Sequence, residues 1–364
     1  MTARMPLLRT ACSITIAAAV TLFAPSAGAA DGKQEPDYAA LTAAATDRVI
    51  VPAYEKLAAA MALLAAVTRD ACSDPASAPG KVRSAFAAAM DAWQQAQPIS
   101  FGPVADGSRA SRIEYWPDKR GTGQRQVRRA LSARDPALVA PGGLEGKSVA
   151  LQGLATYEAI MFGDVPGNYA CAFASAIAAF QKDLTASVRD DWTKPGGFAE
   201  TMRTAANGNA KFRDAKETAT EILKAAAGTV DAVIQQKLEP PLGESMSDAA
   251  PNKAENWRTG LSLADIVGNL RTLEALFTCR DGLRDQLTRV GAGPLGDGMV
   301  RSVEKAIALA RAVPMPLAKA VADPGARPKV EELLEAVRGL RVLIRNPVAD
   351  ELHIVVGFNA LDGD

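Results

Sequence analysis

The sequence contains one histidine, His353, among its 364 residues. Catalytic zinc sites ordinarily use two or three nitrogen or sulfur ligands and keep one position open for water. One histidine cannot supply such a ligand set, so a histidine-based zinc peptidase site is close to excluded. His353 precedes the apolar run Ile354-Val355-Val356, and we interpret it as a packed or solvent-edge residue rather than a ligand.

The sequence is also poor in aromatic residues, which make up 5% of it. Abundant alanine with few aromatic residues favours helices over a β-sandwich. No run of basic residues occurs, so nucleic acids and anionic membrane surfaces are poor candidate partners. The sequence has no G-x-S-x-G, no cysteine beside a histidine, and no phosphate-binding glycine loop between a strand and a helix.

The first thirty residues have the pattern of a secretory signal. Arg4 and Arg9 precede an apolar run from Ile14 to Phe23, which ends in small residues. The run is too short to span a bilayer, so we predict a signal peptide over residues 1–29 and no transmembrane segment. Cys12 precedes the apolar core, where a lipid-anchor cysteine would follow it. We therefore predict a periplasmic protein without a lipid anchor.

Three cysteines remain in the predicted mature chain, Cys72, Cys171 and Cys279. An oxidising compartment allows one disulfide and leaves one thiol, with three possible pairings. Cys72 follows one predicted helix and Cys171 opens another, which favours that pair. Three buried free thiols are the alternative. The cysteines are too dispersed for a zinc ribbon.

Apolar residues recur at helical spacing along most of the chain. Ile50, Tyr54, Leu57, Met61 and Leu64 form one such stripe in a helix predicted over residues 37–69, in which Pro52 introduces a kink or starts a fresh segment. Further helices are predicted over residues 81–97, 124–133, 145–162, 169–193, most of 198–238, 259–288, 297–312 and 328–346. The stretch 98–123 has no sustained period and is predicted to be irregular, which is typical of a functional or packed loop. We predict an all-α protein.

Two segments of the chain resemble each other. "GLATYEAIMF" begins at Gly153 and "NLRTLEALF" begins at Asn269, and both carry a glutamate within an apolar stripe. This internal repeat predicts that residues 30–364 form two helical bundles, about 36–195 and 198–364, related by an approximate twofold axis.

The two glutamates of this repeat, Glu158 and Glu274, are candidate site residues. A carboxylate within an apolar stripe must be paired, protonated or bound to a metal, because desolvating it alone costs several kcal/mol. Two such carboxylates near a twofold axis could form a metal site, with Glu158 as the candidate ligand. The alternative is a structural network that ties helices together with arginines or backbone groups.

The irregular stretch 98–123 supplies the second set of candidates. It contains Arg109, Arg112, Glu114, Trp116, Asp118 and Arg120, which could line a cleft. An arginine side chain offers a planar fork for carboxylate or phosphate groups, and Trp116 followed by Pro117 could form a rigid wall. Alternatively, Arg112 and Asp118 satisfy Glu158 and helix ends internally.

Several motifs together resemble the imelysin-like family. They are "AFAAAMDAWQQAQPISFGP", "RIEYWPDKR", "GLATYE", the block "NWR…NLRTLEALF" and the closing "GFNALDGD". They occur in the family's order and cover most of the mature chain. The resemblance implies an exported, all-helical envelope protein, of a family in which some members are encoded with iron-uptake systems.

The family is known for a G-x-H-x-x-E motif, which gave rise to its label as metallopeptidases and to proposals of metal binding. The matching positions here are Gly153, Ala155 and Glu158, so alanine replaces the histidine. Alanine cannot ligate a metal, although a site of carboxylate or carbonyl oxygens for a hard cation stays open.

We therefore predict a non-enzymatic periplasmic binding or accessory protein with a site at the junction of the two bundles. Its ligand is a small anionic molecule or a metal ion such as iron or another divalent metal, or its partner is another envelope protein. The candidate site residues are Glu158 and Glu274 as buried carboxylates, Arg112 and Asp118 from the loop, and Trp116 and Trp257 as walls. A metal-dependent peptidase and a purely structural interaction module are the alternatives.

Overall fold

The computed structural model describes residues 1–2, 34–74, 79–163 and 167–357. These ranges contain helices and turns but no β-strand, which confirms the all-α class. The predicted signal peptide beyond its first two residues lies outside the described residues, as does the tail after Gly357 with the closing motif.

The described α-helices follow one another along the chain and vary from three to 26 residues in length. They are α1 (Tyr38–Ala45), α2 (Val51–Ser73), α3 (Pro79–Ala96), α4 (Arg109–Ile113), α5 (Thr122–Ala133), α6 (Pro136–Val139), α7 (Leu154–Met161), α8 (Asn168–Thr193), α9 (Phe198–Arg203), α10 (Ala215–Ala232), α11 (Glu239–Leu242), α12 (Ser262–Thr278), α13 (Leu283–Arg289), α14 (Gly293–Ala312), α15 (Leu317–Ala320), α16 (Arg327–Leu343) and α17 (Ala349–Glu351).

Three wider, π-helical turns in the described ranges accompany prolines. Thr46–Ile50 joins α1 to α2 just before Pro52, Val233–Leu238 joins α10 to α11 before Pro240, and Ile344–Val348 contains Pro347. Proline lacks the backbone N–H that an α-helix needs, and its ring crowds the preceding turn. A locally wider turn accommodates both effects, and α2 begins as a fresh α-helical segment at Val51, directly before Pro52, which is one of the two outcomes expected there.

The apolar stripe predicted along the first long helix is buried in the core. Ile50, Tyr54, Leu57, Met61 and Leu64 are all fully buried. Helix α2 packs against α3 and α8, and α3 also packs against α12, which in turn contacts α14. A continuous apolar core therefore crosses both predicted halves of the chain, while their twofold relation stays a prediction.

Among the described helices, the run Tyr38–Ser73 has the length and apolar composition of a membrane-spanning helix. A core helix has the same properties when its neighbours cover it. This run contributes its apolar stripe to the same core as α3 and α8, which is the environment of a core helix.

Close backbone approach makes two helices shorter than predicted. Residues 145–153 hold only the 3-10 segment Val149–Leu151, and α7 starts after Gly153, where a Cβ atom would come 2.8 Å from the carbonyl oxygen of Ile113. The helix predicted over 259–288 breaks at Gly282, where a Cβ atom would meet the carbonyl oxygen of Cys279 at 2.6 Å. The segment 98–123, predicted to be irregular, contains a 3-10 segment and α4.

The structure pairs Cys72 with Cys171 and leaves Cys279 as a free, half-buried thiol. This is the pairing that the sequence favours. The bond joins the end of α2 to the start of α8 and closes a segment of 99 residues.

Replacing Cys72 and Cys171 together by serine is expected to lower the free energy of unfolding by about 2–5 kcal/mol, because a long loop is released in the unfolded chain. Urea unfolding of the oxidised protein measures the change. The matched control is Cys279→Ser, for which we expect a change within about 1 kcal/mol. Equal losses in the two variants would contradict a stabilising disulfide.

Candidate functional site

A cavity of about 950 Å³ lies where residues of the two predicted halves meet. Its size falls within the usual range of small-molecule sites. Four parts of the chain form most of the lining: residues 114–131, α7 with the two residues after it, the second π-turn, and residues 250–258. The lining residues are Glu114, Tyr115, Trp116, Pro117, Asp118, Lys119, Gly123, Gln124, Val127, Arg128, Leu131, Ala150, Ala155, Thr156, Glu158, Ala159, Phe162, Gly163, Gln235, Gln236, Pro240, Ala250, Asn252, Lys253, Ala254, Asn256, Trp257 and Arg258.

Hydrogen bonds fix both ends of the loop that carries Trp116. At its start, Trp93 of α3 donates a 2.6 Å hydrogen bond from Nε1 to Oε2 of Glu114. At its end, the carboxylate of Asp118 accepts from the backbone N–H groups of Thr122 (2.8 Å) and Gln124 (3.0 Å). Asp118 therefore caps the first turn of α5, which is the helix-end role that the sequence left open.

Glu158 is buried, and its carboxylate already has partners. Its Oε1 accepts hydrogen bonds from the backbone N–H (2.9 Å) and the hydroxyl (2.8 Å) of Thr259. Its Oε2 lies 3.9 Å from a guanidinium nitrogen of Arg258. Burial raises the pKa of Glu158, while Thr259 and Arg258 partly oppose the shift. Glu158 thus ties α7 to the segment that precedes α12.

Arg258 projects over the neighbouring Trp257. Its guanidinium carbon lies 4.4 Å from the centre of the indole ring, and a quarter of the side chain is exposed. Within the described part of the chain, the guanidinium donates no hydrogen bond, and the contact with Glu158 is its one ion pair. The stacked fork is therefore held in place while its donors stay available to a ligand.

A buried ion pair lies beneath the cavity. The Lys237 ammonium, from the second π-turn, donates to Oε2 of Glu255 (2.6 Å) and to Oε1 of Gln94 (2.5 Å). The Gln94 amide closes the triangle with a 3.1 Å hydrogen bond to Glu255. Lys237 also lies 5.7 Å from the ring of Trp116, so the pair supports the wall of the cavity.

Two further buried acids adjoin this ion pair. Burial, and then the charge of Glu255, raise the pKa of both Glu114 and Asp265 well above their ordinary values. Asn256 donates a 2.8 Å hydrogen bond to Asp265, whereas Oε1 of Glu114 has no hydrogen-bond partner among the described residues. Both acids are therefore easier to protonate than ordinary carboxyl groups, and the Lys237–Glu255 pair is the charged centre next to them.

Four of the six predicted site residues line the cavity, namely Trp116, Asp118, Glu158 and Trp257. Arg112 does not, because its guanidinium lies 5.9 Å from the ring of Phe180, on α8. Glu274 does not either.

Glu274 is kept from the cavity by the way α12 packs. The helix buries Val267, Leu270 and Phe277, and Glu274 lies half-buried at the margin of this stripe. The buried acid of α12 is instead Asp265, in its first turn. The two glutamates of the internal repeat therefore do not share one site.

The described residues do not fit a metal held by histidine. Ala155 lines the cavity at the position of the motif histidine, three residues before Glu158. No group of three or more histidine, cysteine, aspartate or glutamate side chains in the described ranges could hold a metal ion. The lining also contains the arginine Arg258 and the amides of Gln235, Gln236 and Asn252, which suit an organic ligand.

Sequence reasoning missed Arg258, Lys237, Glu255 and Gln94 as parts of this region. Arg258 carries a local signal, because it follows a tryptophan just before a helix. The other three lack one, since Gln94 and Lys237 lie within ordinary helical stretches and meet only through packing across more than a hundred residues. Such contacts have no periodic pattern that a single sequence could reveal.

Comparisons with known proteins identify one family from the sequence and the same fold from solved structures. A peptidase-family model described as imelysin matches residues 50–344. An imelysin-like protein from Psychrobacter arcticum 273-4 superposes with a TM-score of 0.76 at 20% identity, over 89% of this chain and all of that one. A protein from Parabacteroides distasonis ATCC 8503, provisionally described as an iron-regulated protein A precursor, superposes at 0.75 and 16% identity, over 89% of this chain and 97% of that one. Among curated proteins, none matches the chain.

Replacing Lys237 by methionine is expected to lower the free energy of unfolding by about 3–5 kcal/mol, because the buried Glu255 carboxylate loses its counter-charge. Chemical unfolding measures the loss. Lys56→Met is the control, since the Lys56–Asp91 pair is partly exposed and should contribute less than about 1 kcal/mol. Equal losses would show that the buried pair does not stabilise the fold.

Glu114→Gln is expected to weaken the pH dependence of stability. Because burial raises the pKa of Glu114 in the folded state, the stability that its protonated form contributes is fully present below the ordinary pKa of 4.5 and is lost as the pH rises through the higher folded-state pKa. The glutamine variant cannot ionise, so it should lose less stability than the wild type as the pH is raised above about 4.5. Urea unfolding at each pH measures this. The control is Asp70→Asn at an exposed position, whose stability should vary with pH as that of the wild type does. A stability profile of Glu114→Gln that is parallel to both would contradict the raised pKa of Glu114.

Proposed function

This chain belongs to the imelysin family, and we propose that it is a non-enzymatic binding protein that holds a small ligand in the cavity between its halves. The observation that carries this proposal is the cavity itself, of about 950 Å³ and lined by residues 114–163 and 235–258. Such a volume, with aromatic walls and a few polar groups, suits a small molecule.

A peptidase reaction has little support in the residues that line this cavity. Hydrolysis by a metal enzyme needs a metal-bound water and a base. Ala155 offers no ligand, and both oxygens of Glu158 already face Thr259 and Arg258. Glu158 in this state supports a wall of the cavity rather than activating water.

We place the protein in the periplasm, as an accessory protein for the uptake of iron or another metal. The support is the signal-like pattern of residues 1–29 and the similarity to a solved protein described as an iron-regulated precursor. Both bear on the compartment and the biological setting, and neither names the ligand. Docking of another envelope protein is compatible with the same site.

The test has two parts, carried out on the mature protein. After equilibrium dialysis against a small-molecule extract of the source cells, mass spectrometry should find a retained compound in the wild type. Ala159→Trp, which fills the cavity, should lose it, and Ala39→Trp at the surface should keep it. Incubation with casein should produce no cleavage that a chelator inhibits. Chelator-sensitive cleavage that disappears in Glu158→Ala would overturn the binding function.

A further inference from the structure

We propose that the cavity binds small organic carboxylates, and that the Arg258 guanidinium is the group that recognises them. This inference rests on the proposed binding function and names the chemical class of its ligand. It follows from three properties of the cavity: an available arginine fork, an uneven distribution of charge, and a size larger than an inorganic ion.

The fork of Arg258 is oriented but not satisfied. Stacking on Trp257 at 4.4 Å fixes the plane of the guanidinium. Glu158 Oε2, at 3.9 Å, is beyond hydrogen-bond distance, so it supplies a nearby negative charge without occupying a donor. An arginine in this state offers two parallel N–H groups, which match the two oxygens of a carboxylate.

Charge around the cavity favours an anion. Lys253 and Arg128 are exposed lining residues and bring positive charge to it. The lining acids do not fully offset this charge, because the basic lining residues Lys119, Arg128, Lys253 and Arg258 outnumber the acids Glu114, Asp118 and Glu158. The carboxylates of these three acids also already accept hydrogen bonds, from Trp93, the first turn of α5 and Thr259.

The volume and the neutral groups favour an organic ligand. A single inorganic ion would fill a small part of about 950 Å³. Gln235, Gln236 and Asn252 add amides that can bond hydroxyl or carbonyl groups of a larger molecule, and Val127 and Leu131 add apolar surface. A molecule whose carboxylate binds Arg258 and whose organic part packs against these residues would contact both the polar and the apolar parts of the lining.

The experiment is calorimetric titration of the mature protein with citrate, tartrate, succinate and benzoate. Inorganic phosphate and succinamide are the control ligands, since succinamide has the shape of succinate without its charge. At least one carboxylate should bind, and succinamide should not. Phosphate binding as tight as that of the best carboxylate would overturn the organic assignment. Failure of all four carboxylates would overturn the ligand class, while a retained compound in the dialysis experiment would still uphold the binding function.

Variants of cavity residues distinguish recognition by the Arg258 guanidinium from attraction by positive charge in general. Arg258→Met should weaken binding of the best carboxylate by about tenfold to a hundredfold, because it removes charge-assisted hydrogen bonds. Lys253→Met removes the same charge from the same cavity and should weaken binding by less than about threefold. Arg258→Lys keeps the positive charge but lacks the planar guanidinium, so its loss of affinity should lie between those of the other two variants. Equal effects of Arg258→Met and Lys253→Met would overturn the role of Arg258.

Glu158→Gln distinguishes a carboxylate site from a metal site. The glutamine carbonyl can still accept from Thr259, and the negative charge beside Arg258 is removed. Binding of the best carboxylate should stay unchanged or become tighter. A loss of binding in this variant, with an unchanged far-ultraviolet spectrum and unfolding curve, would overturn the proposal, because it would mean that the ligand needs the Glu158 carboxylate.

Discussion

The cavity depends on one buried charge, the ammonium of Lys237. A lysine that is 2% exposed must be matched by a counter-charge and by hydrogen bonds, because desolvation would otherwise destabilise the fold by several kcal/mol. Glu255 and Gln94 meet that requirement, and they come from different parts of the chain. Helix α3, the second π-turn and the segment before α12 are therefore held at one point. The loop with Trp116 rests on the same ammonium.

The acids around this point show why a buried site can be polar without being strongly charged. Glu255 lies opposite Lys237, and its charge, after burial, raises the pKa of both Glu114 and Asp265. Glu158 adjoins the positive guanidinium fork of Arg258, which stacks on Trp257. A family position that could hold a metal ligand is occupied here by Ala155, and an arginine contributes the charge in the same cavity.

The features that could be predicted from the sequence are those that depend on local patterns of residues. The stripe from Ile50 to Leu64, the all-α class and the Cys72–Cys171 pair follow from spacing and composition, and Glu158 is buried as its apolar neighbours require. The placement of Glu274 could not be predicted from the helical repeat. The repeat shows that a residue lies near an apolar stripe, but the packing of neighbouring helices decides whether that residue lies at the buried centre of the stripe or at its margin. Lys237 was missed for a related reason, since a single π-turn changes the face on which the next residues lie.

The disulfide gives the two walls of the cavity different connectivity. Residues between Cys72 and Cys171 belong to a closed covalent ring, and this ring includes Trp116, Ala155 and Glu158. Trp257 and Arg258 belong to the part of the chain outside this ring and are joined to it by noncovalent contacts, which include those of Thr259 and Arg258 with Glu158 and those of Lys237 and Glu255 with Gln94. In an oxidising compartment, the wall that carries the arginine therefore depends on noncovalent contacts for its position, whereas the wall with Trp116 and Glu158 is also enclosed by a covalent ring.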